Sequence, residues 1–80
     1  MRLDKFLKVS RLIKRRTVAA EACANGRVSV NGRVAKQSTD IKEGDVIEIA
    51  FGSGRTKIKV ISISAQANKE NAREMYEIAE

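Results

Sequence analysis

The sequence predicts a small α+β domain, with two short N-terminal helices packed on a small antiparallel β-sheet and a C-terminal helix. Three observations predict it. Apolar residues recur at helical spacing near the N-terminus, Asn31-Gly32 sits between two short β-type runs, and two later segments alternate apolar with polar residues. Eighty residues suffice for one domain with a modest core. Function is therefore expected on a surface rather than in a deep cleft.

The first predicted helix covers residues 2–9. Leu3, Phe6 and Leu7 share one face, while Arg2, Lys5 and Lys8 point elsewhere. Asp4 and Lys8 stand at i,i+4, which predicts an ion pair worth only about a few tenths of a kcal/mol. So short a helix is not stable alone and must pack on something. Leu12 and Ile13 anchor a connection ending in Lys14-Arg15-Arg16, and Thr17 is the predicted N-cap of a second helix over 17–25. Ala19, Ala20, Ala22, Cys23 and Ala24 make that helix small-sided, so another backbone can come close. Asn25-Gly26 is its stop.

Val28-Ser29-Val30, Asn31-Gly32 and then residues 33–36 read as a tight hairpin, because both turn residues accept positive φ. Residues 46–51 alternate as a half-buried strand after the turn Glu43-Gly44-Asp45. Gly52-Ser53-Gly54 turns the chain again, and residues 57–63 alternate with Ile58 and Val60 inward and Ile63 as a further inward candidate. Phe6 and Phe51 are expected in the core. A terminal helix over 68–79 is predicted from Ala72, Met75, Tyr76 and Ala79, with Ile78 off that face. The expected order is α-α-β-β-β-β-α.

Charge is unevenly placed on a chain of net charge +6. Residues 1–16 hold seven basic side chains (Arg2, Lys5, Lys8, Arg11, Lys14, Arg15, Arg16) against the single acid Asp4. Residues 37–50 hold only Lys42 against Asp40, Glu43, Asp45 and Glu48. A domain this basic usually meets a polyanion, and this polarity predicts an oriented binding face.

Catalytic chemistry finds no support. There is no His, the commonest general base. Cys23, the one cysteine, lies among alanines and reads as a small buried side chain rather than a nucleophile. The acids from Asp40 to Glu48 read as a turn and a solvated strand face; their spacing is not that of a calcium loop, and no His or Cys joins them. Gly52-Ser53-Gly54 lacks the Gly-Lys-Ser/Thr ending of a phosphate loop. The expectation is a protein that is not an enzyme and needs no metal or cofactor. One cysteine, no apolar run near the roughly 20 residues that span a bilayer, and a basic start without an apolar run behind it all predict a cytoplasmic protein.

The basic segment carries the positive expectation. Lys14-Arg15-Arg16 lies just before a helix start, where free N–H groups, the positive end of the helix dipole and three cations align for phosphate. Arg2 and Lys5 lie one turn apart and extend the patch, and Arg can fork onto phosphate as Lys cannot. With only Phe6, Phe51 and Tyr76 as aromatics, base-stacking platforms are scarce, which predicts recognition of folded RNA through shape and backbone. Contact with about five phosphates would give a log–log salt slope of about −4.

These residues resemble a known family. Arg2-Leu3-Asp4-Lys5-Phe6-Leu7, then Arg11-Leu12, Lys14 and Arg16, then Gly26-Arg27-Val28-Ser29-Val30-Asn31-Gly32, are similar to the S4 RNA-binding domain. Lys36-Gln37-Ser38 and Gly44-Asp45 fall where that family has its Lys-Pro-Ser and Gly-Asp elements, with Gln37 in place of Pro. The likeness is clear over residues 1–50 and weaker over 51–64. It implies the S4-like (αL) RNA-binding fold, with residues 1–64 as the S4-type RNA-binding domain and 65–80 as a C-terminal helical tail. Within the family the chain looks like the stand-alone, single-domain members of bacterial ribosome-associated quality control. The S4-like heat-shock members, with their longer basic C-terminal extension, fit less well because this chain ends acidic.

The resemblance implies binding to the large ribosomal subunit obstructed by peptidyl-tRNA. It implies contacts to large-subunit rRNA and the adjacent tRNA, and support of C-terminal alanine tailing beside an RqcH-type partner factor, by a monomer with no membrane role and no chemistry of its own. It assigns Arg2 and Arg16 as leading rRNA contacts with Lys5, Lys14 and Arg15 in support; Lys8, Arg11 and Lys36 are expected to complete the RNA-binding surface. The alternative within the family is a factor for rRNA maturation or subunit recycling. A protein-interaction or membrane-surface module ranks lowest, because the first helix is short and its apolar face narrow.

Overall fold

Leu3, Phe6 and Leu7 do meet on one face. In the structure, a computed structural model that describes residues 1–63 and 72–79, all three are fully buried on α1 (Leu3–Val9). The free N–H groups at the start of α1 are satisfied from a distant loop: Leu3 donates to the Thr39 carbonyl at 2.8 Å and Asp4 to the Gln37 carbonyl at 3.1 Å. A helix of seven residues is thereby tied down at its weak end.

The second helix, α2, runs Arg16–Ala24. It starts one residue earlier than expected. Arg15, in extended conformation, is the N-cap and its side chain makes no capping bond, so Thr17 already lies inside the first turn. Gly26, at φ 72°, ends the helix as expected: its N–H donates to the Cys23 carbonyl and the Arg27 N–H to the Ala22 carbonyl. α1 ends in the same way, with Ser10 as cap and the next residue left-handed, but there the residue is Arg11, at φ 63°.

Five strands follow: β1 (Val28–Val30), β2 (Arg33–Val34), β3 (Val46–Phe51), β4 (Gly54–Val60) and β5 (Tyr76–Ile78), in the spatial order β2-β1-β3-β4-β5, every neighbouring pair antiparallel. Asn31 and Gly32 both have positive φ, 53° and 85°, as the tight hairpin requires. Asn31 does more than turn. Its Oδ1 accepts the Val46 N–H at 2.9 Å and its Nδ2 donates to Asp45 Oδ1 at 3.1 Å. Asp45 Oδ2 also accepts the Lys42 N–H at 3.0 Å. The two side chains lock the turn before β3 onto the β1–β2 turn.

Alternation sorts the sheet into two faces. Val28, Ile47, Ile49, Ile58 and Val60 join Leu3, Phe6, Leu7, Ala19 and Cys23 in one core. The opposite face carries cross-strand charge pairs, Glu48 beside Lys57 and Lys59 beside Glu77, with Arg55 Nη1 at 2.9 Å from Glu48 Oε1.

Two expectations are corrected. Phe51 is 45% exposed rather than in the core. It has the inward parity of Ile47 and Ile49, but it is the last residue of β3 and its partner across the sheet, Gly54, has no side chain to cover it. The expected C-terminal helix over 68–79 lies partly on residues outside those described. Its described part is a single 3-10 turn, Ala72–Met75, followed by β5. Met75 is buried in the core, its carbonyl accepts the Ile61 N–H at 2.8 Å, and β5 pairs Tyr76, Glu77 and Ile78 with Val60, Lys59 and Ile58. A short helix gains little by itself, whereas the open edge of β4 offers a row of backbone partners.

Candidate nucleic-acid interface

The basic residues singled out above come from four pieces of chain. Arg2 caps α1. Lys5 and Lys8 lie on its exposed side. Arg11, Lys14 and Arg15 lie on the connection to α2, and Arg16 is the first residue of α2. Lys36 follows β2, in the loop whose carbonyls cap α1. All eight side chains are exposed, so each is available to a polyanion. The core face of α1 points inward through Leu3, Phe6 and Leu7, which forces its cations outward.

Arg2 and Arg16 converge on one carboxylate. Arg2 Nε lies 3.3 Å from Asp4 Oδ1, and Arg16 Nε lies 3.3 Å from Asp4 Oδ2. Oδ1 also accepts the Lys5 N–H at 2.8 Å. Asp4 is only 3% exposed, while the two arginine side chains are about half exposed, at 50% and 49%. Each guanidinium carries five N–H donors, so both retain donors toward solvent. Asp4 therefore does not pair with Lys8, as its sequence spacing had predicted. It turns from the solvent side of α1 toward the start of α2.

The N-cap of α2 has no side-chain bond, so its first-turn N–H groups stay available beside Arg15 and Arg16. An anion arriving there would meet backbone donors, the helix dipole and the two half-exposed guanidinia together. At the opposite end of α2 an open groove of about 520 Å³ lies between that helix end and the loop after β2, lined by Cys23, Val34, Ala35, Lys36 and Gln37 among others.

Residues considered for other chemistry have structural roles. Cys23 is buried, and burial, helped by the negative charge of Asp4, pushes its thiol pKa up and keeps it protonated. The acids from Asp40 to Glu48 are separated. Asp40 is exposed and 2.8 Å from the N-terminal ammonium, which holds its carboxyl below its usual pKa. Asp45 is buried in its turn, and Glu48 meets Arg55 on the sheet. Among the described residues, no group of three His, Cys, Asp or Glu side chains is placed to hold a metal ion.

Reading residues by charge overlooked Asp4, an acid inside a basic segment. The available signal was its place between Leu3 and Lys5 on a helix whose neighbouring apolar residue is core. The backbone of Arg11 was overlooked too, because nothing in the sequence marks a left-handed arginine.

The chain is similar to known proteins in sequence and in fold. The S4 domain family model matches residues 1–47. A protein of Halalkalibacterium halodurans named RQC P-site tRNA stabilizing factor is 53% identical over 78 residues, covering 98% of this chain and 89% of that protein. A protein of the same name from Streptococcus pneumoniae is 55% identical over 78 residues, with the same coverage. Among solved structures, heat shock protein 15 of Vibrio cholerae, described as trimeric, superposes with a TM-score of 0.90 at 31% identity, covering 99% of this chain and 81% of that one.

Proposed function

The chain belongs to the S4 domain family, and from that premise we propose that it is a non-catalytic RNA-binding factor of the stalled large ribosomal subunit. It holds large-subunit rRNA and the peptidyl-tRNA through Arg2, Lys5, Lys8, Arg11, Lys14, Arg15, Arg16 and Lys36. In doing so it supports C-terminal alanine tailing with an RqcH-type partner factor in the cytoplasm, and it binds as a monomer. The observation that carries the reading is the convergence of Arg2 and Arg16, fourteen positions apart, on one exposed basic surface. The relatives named for P-site tRNA stabilization support the choice of RNA.

The mode of action follows from the charges. The protein's contribution is positional. It neutralises phosphates from two RNA segments and holds them in fixed relation. Phosphate contacts position rather than specify, which suits a factor that meets one RNA architecture repeatedly.

Sedimentation of cell extracts tests this. The protein is expected to be enriched on large subunits that retain peptidyl-tRNA. Migration only with immature subunits would replace the reading by a role in rRNA maturation. Arg16→Ala is expected to weaken subunit binding and to flatten the log–log salt slope by about 0.7 to 0.9 for one lost phosphate contact. Because Arg2 still pairs with Asp4, the stability cost should stay within about 1 kcal/mol, the range of exposed ion pairs.

A further inference from the structure

Asp4 is an acid where the binding surface calls for bases. Considered only as a charge, it opposes RNA: it lies within 3.3 Å of two guanidinia proposed to meet phosphate. Several features set it apart from an ordinary surface acid. It is 3% exposed, both of its oxygens are engaged, and its partners come from the cap of α1 and the first turn of α2. The Lys5 N–H at 2.8 Å fixes the carboxylate within its own helix turn. Its backbone N–H is fixed as well, donating to the Gln37 carbonyl in the loop that carries Lys36. Asp4 is thus held by the fold on one side and holds two long, half-exposed side chains on the other.

We infer that Asp4 is a positioning residue of the RNA-binding surface: its buried carboxylate pre-orders the Arg2 and Arg16 guanidinia so that they meet phosphate without first losing their rotamer freedom. The inference rests on the proposed function and deepens it. A free arginine samples many rotamers, and immobilising such a side chain on binding weakens affinity by roughly two- to tenfold. Arg16 is anchored through Nε, which leaves both of its terminal nitrogens for the ligand, while Arg2 donates Nη2 to Asp4 Oδ2 at 3.4 Å and keeps Nη1 for it. For two arginines, the pre-ordering is then worth roughly five- to a hundredfold in affinity.

The inference makes a prediction of unusual sign. Asp4→Asn raises the net charge of +6 by one, so simple charge summation predicts tighter RNA binding. Positioning predicts weaker binding. Asn keeps the side-chain volume and can still accept the Lys5 N–H, but it carries no charge to hold two guanidinia.

The test measures co-sedimentation with purified large ribosomal subunits between about 50 and about 200 mM salt, a range over which phosphate contacts are strongly salt-sensitive. Wild type, Asp4→Asn, the Arg2→Ala/Arg16→Ala pair and the combined triple variant are compared. The expected result is a roughly five- to hundredfold loss for Asp4→Asn in the native background and no further loss when both arginines are absent. Unchanged or tighter binding by Asp4→Asn, with wild type binding normally, overturns the inference and leaves the proposed function standing. A loss that persists without the arginines shows Asp4 acting through the fold and also overturns it. Wild type failing to sediment overturns the proposed function and this inference together. A second readout needs no RNA. In the free protein the Nε–H proton of Arg16, which is hydrogen-bonded to Asp4 Oδ2, should exchange slowly with solvent, and quickly in Asp4→Asn with the backbone amide spectrum retained. Wild-type exchange as fast as that of the exposed Arg33 would overturn the pre-ordering directly.

Discussion

Arg11→Gly should make the protein more stable and a poorer RNA binder. α1 and α2 end in the same way, each with a left-handed residue after its cap. α2 uses Gly26 there, at φ 72°, and α1 uses Arg11, at φ 63°. For a residue with a Cβ the left-handed region costs about 1–2 kcal/mol. Glycine removes that cost but returns about 0.5–1 kcal/mol through its greater freedom in the unfolded chain. The central values leave a net gain of about 0.75 kcal/mol, which for a domain of this size raises Tm by about 3–6 °C. Arg11 is exposed, so little packing is lost. Thermal unfolding followed by circular dichroism measures the gain, and co-sedimentation with large subunits measures the loss of one proposed phosphate contact. Arg11→Lys is the control: it keeps the strain, so Tm should not rise. An unchanged or lowered Tm for Arg11→Gly would refute the claim that the backbone at this position is strained. A raised Tm with undiminished binding would refute the claim that the strain is tolerated for the sake of the guanidinium.

Other predictions test the scaffold. Val30→Asp puts a carboxylate on the core side of β1 opposite Ile47. Burying an unpaired charge costs several kcal/mol against a total stability of about 4–12 kcal/mol for a chain of this length, so the hairpin and RNA binding should be lost together in amide spectra and sedimentation. Asn31→Ala removes the acceptor for Val46 and the donor to Asp45. It should lower stability by about 2 kcal/mol in urea titration, with little direct effect on RNA affinity at temperatures where the variant is folded. The raised thiol pKa of Cys23 also has a pH consequence. In the unfolded chain the thiol ionises first, so this contribution is fully present below the unfolded thiol pKa of about 8.5 and is lost as pH rises from there through the raised folded pKa. The urea midpoint of wild type should therefore fall more steeply with alkaline pH than that of Cys23→Ala. At fixed pH, Asp4→Asn should speed Cys23 alkylation, since one cause of the raised pKa is removed.

Local pattern was enough for much of the molecule. Leu3, Phe6 and Leu7 declared the buried face of α1, Asn31-Gly32 declared the hairpin, and the alternation through Ile47, Ile49, Ile58 and Val60 declared the inner face of the sheet. In each case the signal lies within a few residues, so no knowledge of distant chain is needed. The basic surface was legible for a related reason: once the apolar face of α1 is buried, its cations have nowhere to point but outward.

The tertiary structure decided what depends on partners far away in sequence. The C-terminal segment has helical spacing in Ala72, Met75, Tyr76 and Ala79, yet its described part becomes a 3-10 turn and β5, because the open edge of β4 offers hydrogen bonds a short isolated helix cannot match. Phe51 has inward parity but no cover at the end of its strand. Asp4 found Arg2 and Arg16 instead of Lys8, because the packing of α1 against α2 placed two cations beside a carboxylate excluded from solvent. The amino-acid sequence by itself determined the apolar face of α1 and the inner face of the sheet, the turn at Asn31-Gly32, and that one side of the protein is cationic, since those follow from short-range periodicity and composition. Which cations stand together, and what holds them there, came only from the fold, because a contact between positions 4 and 16 leaves no local trace in either.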